Sequence, residues 1–217
     1  ASAYGSAHYT KLIGWIRTSR RFGFFISAYE RKIRARLKVA RGEEAFLALW
    51  AELETAAALL SDRQFTVEYE KYASTRQRSP DFTVIFKTHT PFNVEVRRMR
   101  ADPLSEARLS KLTAVICDKA GQMQASIVNL LWLVCEDRMT EAELLSAALN
   151  LRQLAERKTE DFFQRYGFRD SADFLKHYRW LSGVMLWQRD PVLWLNPLAR
   201  PVVQPDLVKA LRRLTTP

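Results

Sequence analysis

Residues 79–99 read SPDFTVIFKTHTPFNVEVRRM. The turn-like THTP divides them into two segments rich in β-branched and aromatic residues, the composition of extended strands. Side chains two apart on a strand share a face, which groups Asp81, Thr83, Ile85 and Lys87 on the first segment. On the second, Asn93, Glu95 and Arg97 point together, opposite Phe92, Val94 and Val96. Antiparallel pairing with these faces coincident brings Asp81 and Glu95 together.

The neighbouring sequence extends the pattern in both directions. QFTVEYE at 64–70 alternates Phe65, Val67 and Tyr69 with Thr66, Glu68 and Glu70, giving a first strand and hence a three-strand antiparallel meander. Before it, EEAFLALWAELETAAALL at 43–60 sets Phe46, Leu49, Leu53, Ala56, Ala57 and Leu60 at helical spacing. After it, Asp102 and Pro103 suit a helix start, and the predicted helix continues to Met123 with Leu109, Leu112, Ile116 and Ala120 on its buried face. IVNLLWLVC at 127–135 is a near-continuous apolar run, the mark of a central strand covered on both faces. Beyond it the pattern predicts a helix at 140–157, an aromatic segment DFFQRYGF, a helix at 172–180, short strands GVMLWQ and VLWLNP, and a helix after Pro205. Trp180, Trp187 and Trp194 fall seven apart, but Gly183 and Pro191 interrupt any helix that would align them, so core packing is expected rather than base stacking.

The expected fold class is therefore α/β, with a mixed central sheet flanked by helices. Its domain spans 42–217, with a core at 43–135 and an α/β extension at 136–217. A basic arm, 1–41, precedes it and holds ten basic residues against Glu30 alone, nearly all of the chain's net charge of +10. Within it, 24–38 forms an amphipathic helix with Phe25, Tyr29, Ile33 and Leu37 on one side. Arg20, Arg21, Arg31, Lys32, Arg34 and Arg36 are the candidate contacts to a polyanion, for which nucleic acid is weighed against a merely solvated face. An anionic membrane surface, with Phe24, Phe25 and Ile26 inserted, is a further reading. Residues 1–10 are small and polar and lack an initiating Met; part of them is read as a processing remnant, and no function is assigned to them.

The bulk composition, 47% hydrophobic and 27% charged, is that of a soluble globular protein. No apolar run is long enough to cross a bilayer and no secretory signal is recognisable, so a cytoplasmic location is expected. Cys117 and Cys135 are read as reduced core residues, and three scattered histidines offer no zinc-ligand spacing.

Two carboxylates held a few ångströms apart repel each other, and a divalent cation such as Mg²⁺ or Mn²⁺ stabilises both in ionised form. Such an ion lowers the pKa of a bound water and polarises a phosphate, while a nearby cation, here Arg97, stabilises the developing negative charge. Pro80-Asp81, thirteen intervening residues and Glu95-Val96-Arg97 resemble the signature of the PD-(D/E)XK nuclease superfamily, the restriction-endonuclease-like fold. The resemblance covers about 43–135 and includes the element order helix, three strands, helix, strand. It implies hydrolysis of a phosphodiester with Mg²⁺ or Mn²⁺ on Asp81 and Glu95, nucleic acid as partner with DNA ahead of RNA, and by analogy a homodimer.

Arg97 departs from the pattern, since the family has Lys there, and an arginine binds and stabilises but does not exchange its proton. The departure motivates the alternative of a catalytically silent nuclease fold that binds nucleic acid or serves assembly. A compensating lysine is available at Lys119, which falls within the apolar stripe of its helix at about 100° per residue. It either snorkels to solvent or reaches a buried anion at the site. Gln122 resembles a glutamine that some superfamily members carry on this helix. Glu52 and Glu54 flank the apolar face of the first core helix; each is weighed as a third carboxylate against a solubilising role, the latter favoured. Glu68 and Glu70 are expected in solvent. Taken singly, Asp81 is also readable as a turn residue and Glu95 as a cross-strand partner of Lys87 or an arginine.

Overall fold

The alternating segments form one six-stranded sheet. The computed structural model describes residues 3–70, 80–100 and 105–216. Strands β1 (Phe65–Tyr69), β2 (Phe82–Phe86), β3 (Thr90–Met99), β4 (Val128–Cys135), β5 (Leu181–Trp187) and β6 (Val192–Leu195) lie side by side in chain order. β1 to β3 are antiparallel neighbours, β3, β4 and β5 run parallel, and β6 returns antiparallel at the far edge. The parallel steps require crossovers, which the helices between those strands supply.

Period-two alternation on the central strands sends side chains into two separate cores. Leu130 and Trp132 face one layer and Leu131 and Leu133 the other. The first layer is built by α1 (Ala3–Thr18), α2 (Arg20–Val39), α3 (Glu43–Ser61) and α8 (Pro205–Arg212), the second by α4 (Ser105–Ala120), α5 (Glu141–Glu156), α6 (Glu160–Gln164) and α7 (Ser171–Tyr178). The result is an α/β sandwich with a mixed sheet between two helical layers. Among the described residues no helix is long and apolar enough to cross a membrane.

The N-terminal segment differs from its expected role. α1 begins at Ala3 within the supposed remnant, and His8 packs edge-on against Phe46 and Trp50 of α3. α2 starts at Arg20, with the Ser19 hydroxyl capping the Phe22 amide, and buries Phe22, Phe25 and Ile33 in the first core. Of the three residues considered for membrane insertion, Phe24 alone is exposed; Phe25 is core and Ile26 packs against it. The arm is thus integral to one core. Its aromatic content explains the docking, because each buried Phe contributes about 1.5–3 kcal/mol of transfer free energy.

Trp187 and Trp194 are buried on opposite sides of the sheet and Trp180 is half-buried against the second core. The expected cap at Asp102 and Pro103 lies outside the described residues.

Candidate functional site

The register of β2 on β3 aligns Thr83 with Asn93 and Phe82 with Val94. One step further, Asp81 comes opposite Glu95, although it sits in a bend just before β2 rather than within it. Its backbone carbonyl still accepts from the Glu70 amide at 2.8 Å, and its carboxylate Oδ2 accepts from the Val96 amide at 2.8 Å. Both carboxylates line a cleft of about 490 Å³, between the α2–α3 wall and the wall formed by the end of β3 with α4.

Lys119 reaches the site. Its ammonium donates to Glu95 Oε1 at 2.7 Å and to Gln122 Oε1 at 3.0 Å, and both Lys119 and Glu95 have only 13% of their side chains exposed. Of the two fates open to a lysine in an apolar stripe, capture by a buried anion is the one adopted. Glu95 does not pair with Lys87, whose ammonium is 2.8 Å from Asp206. Arg97 also lines the cleft, but its side chain is exposed and has no hydrogen-bond or ion-pair partner among the described residues.

The electrostatics at Asp81 oppose ionisation. Burial raises its pKa well above the ordinary carboxylate range, and the charges of Glu95 and Glu52 raise it further; the Val96 amide and Lys119 act the other way. A cation between Asp81 and Glu95 would relieve this repulsion. Mg²⁺ and Mn²⁺ suit hard oxygen donors, and Mg²⁺ commonly takes one or two carboxylates and keeps waters for the rest. Asp81 and Glu95 are the hard oxygen donors the cleft would offer such an ion. Among the described residues no group of three or more His, Cys, Asp or Glu side chains is arranged to hold a metal.

Glu52 was expected to be a solubilising residue, yet it is 5% exposed and lines the same cleft. Arg36 of α2 clamps it through both carboxylate oxygens, with Nη2 at 2.7 Å from Oε1, and the Tyr69 hydroxyl donates to Oε2 at 2.6 Å. Burial raises the Glu52 pKa, while the hydrogen bonds from Arg36 and Tyr69 pull it down. A readable signal existed: Glu52 lies three residues after Leu49 and four before Ala56, inside the apolar stripe rather than beside it. Glu54 instead meets Lys11 at 3.6 Å, and Glu70 pairs with Lys32 at 2.6 Å and with Arg36 at 3.2 Å, so neither is simply solvated. Glu68 is half-buried.

The candidate polyanion contacts divide accordingly. Arg21 donates to the carbonyls of Leu60, Asp62 and Phe65, closing the C-terminal end of α3. Lys32 and Arg36 are occupied by carboxylates, Arg34 pairs with Glu30 one turn back, and Arg20 lies over the Phe24 ring. Arg31 is exposed.

The thiols of Cys117, in the second core, and Cys135, partly buried against it, are both pushed up to about 12, chiefly by burial, which disfavours the reactive thiolate. Compared with family models, curated proteins and solved structures, the chain matches none.

Proposed function

We propose that the cleft is a metal-dependent phosphodiesterase site acting on nucleic acid, DNA ahead of RNA, on a restriction-endonuclease-like core at 43–135. The observation that carries the reading is the bond from Lys119 to Glu95 opposite Asp81. It supplies, from α4, the lysine that Arg97 replaces on β3, and so supports two carboxylates and a lysine at one point of the cleft.

Asp81 and Glu95 would hold Mg²⁺ or Mn²⁺, and the ion when bound supplies an activated water and a polarised phosphate. The chain's own contributions follow from the geometry. The Val96 amide fixes Asp81 Oδ2 and leaves Oδ1 for the ion. Lys119, oriented by Glu95 and Gln122, places a positive charge where phosphate oxygens gain negative charge. Glu52, clamped by Arg36 and Tyr69, adds negative charge that favours a cation nearby.

A cleavage assay on plasmid and single-stranded DNA tests the proposal. The expected result is activity that needs Mg²⁺ or Mn²⁺, is abolished by Asp81→Ala and by Glu95→Ala, and falls about 10²-fold or more in Lys119→Met. Activity surviving both carboxylate changes would remove the assignment.

A second reading, a silent fold that binds nucleic acid, is favoured by the extent of internal neutralisation. Lys119 is engaged with Glu95 and Arg36 with Glu52, so the cations nearest the carboxylates are already neutralised within the chain. Tight DNA binding without cleavage under either metal is its expected signature.

A further inference from the structure

The charges lining the cleft do not cancel once their internal pairs are set aside. Arg36 is taken by Glu52, Lys119 by Glu95, and Arg98 and Arg100 share Glu44. Two cations remain. Among the described residues Arg97 has no hydrogen-bond or ion-pair partner, and Lys111 donates only to the Arg100 backbone carbonyl, at 3.2 Å. Among the described residues, then, no carboxylate answers either charge.

Their position suggests what counterion they would take. Arg97 lies two residues beyond Glu95 on the same face of β3, roughly 7 Å along the strand. That displacement is comparable with the step between successive phosphates on an extended nucleic-acid chain. Among the described residues no aromatic side chain lines the cleft, so it offers no platform on which a base can stack. Its apolar contribution is limited to Ala45, Ala48 and Val96.

We propose that Arg97 and Lys111 form a subsite for the phosphate next to the scissile one. The substrate is then a polynucleotide strand held at no fewer than two consecutive phosphates and read without regard to base. The inference rests on the phosphodiesterase reading of the Asp81–Glu95 pair, and it reassigns Arg97 from the reacting phosphate to its neighbour. The cost of leaving two cations unpaired in the free protein is small, because Arg97 is exposed and Lys111 half-exposed.

Two readouts on the full-length chain test it. The first is the affinity of a short labelled single-stranded oligonucleotide, measured by anisotropy in chelator across a range of KCl, so that no turnover is involved. Arg97→Gln and Lys111→Gln are each expected to weaken binding and to flatten the slope of log affinity against log salt by about 0.7, the single-strand value per phosphate contact. Lys176→Gln, which removes the same charge outside the cleft, is expected to leave the slope unchanged. The second is hydrolysis of bis(4-nitrophenyl) phosphate, a diester with no flanking phosphate. Both cleft variants are expected to retain it while their KM for the oligonucleotide rises.

An unchanged salt slope in both cleft variants, or an equal change in Lys176→Gln, would overturn the subsite. Parallel loss of both hydrolytic activities in Arg97→Gln would also overturn it, by placing Arg97 on the scissile phosphate. A wild type that hydrolyses neither substrate, but whose binding weakens and flattens in the variants, would support the subsite while removing the catalytic reading.

Discussion

Asp81 carries the least comfortable charge in the cleft. Its folded-state pKa is raised by burial and by Glu95 and Glu52, so between the ordinary carboxylate value and the raised one the folded protein binds a proton that the unfolded chain releases. Stability is then greatest below that window and falls as pH rises through it. Asp81→Asn preserves an acceptor for the Val96 amide and removes the titration. Thermal melts in chelator are expected to show a higher Tm for the variant at neutral pH and a weaker fall towards alkaline pH. Added Mg²⁺ is expected to raise the Tm of the wild type alone. A variant less stable than wild type at neutral pH would contradict this account of the carboxylate.

Glu52 presents the opposite case, a buried charge already answered. Arg36→Ala leaves it without its clamp, and the expected loss is roughly 2 kcal/mol by denaturant unfolding. That is less than for a fully buried pair, because 32% of the Arg36 side chain remains exposed. Glu52→Gln/Arg36→Met is expected to recover part of the loss. The sequence made the Asp81–Glu95 convergence legible because strand periodicity fixes faces from residue type alone. It left the Glu52–Arg36 pair hidden because the partners belong to different helices, and nothing local to α2 specifies which helix it lies on.

Elements with a strict period were legible to within a few residues. The alternation in β1, the apolar run of β4 and the stripe of α3 correspond closely to the observed spans. α1 was not, since its composition is small and polar at the start and its burial comes from contacts with α3 made through His8 and Trp15. Gly183, expected to interrupt a helix and to open the short strand GVMLWQ, lies within β5, where a Cβ would meet the Trp194 carbonyl oxygen at 2.8 Å. Because the obstruction is backbone on the neighbouring strand, it has little freedom to yield. Gly183→Ala is therefore expected to cost about 1–3 kcal/mol in denaturant unfolding, through displacement of edge strand β6. A neutral substitution would mean that β6 shifts freely.

Across the whole molecule, charge and packing are interleaved rather than divided between an arm and a body. The helices holding most of the positive excess also supply Phe22, Phe25 and Ile33 to the first core, and their basic residues Lys11, Arg21, Lys32, Arg34 and Arg36 are bound to the chain itself. An attraction for polyanions inferred from net charge thus locates poorly. Within the cleft, the cations left over among the described residues are Arg97 on β3 and Lys111 on α4. The two-layer α/β arrangement follows from strand periodicity, whereas the crossover packing of α5, α6 and α7 follows from long-range contacts that periodicity does not encode.

The phosphodiesterase reading depends on Asp81 and Glu95 sharing a divalent cation, and calorimetric titration of Mg²⁺ and Mn²⁺ into the wild type and the Asp81→Ala/Glu95→Ala double variant measures that directly. The expected result is saturable binding to the wild type that is absent from the folded double variant. Either no binding to the wild type or equal binding to both proteins would contradict it.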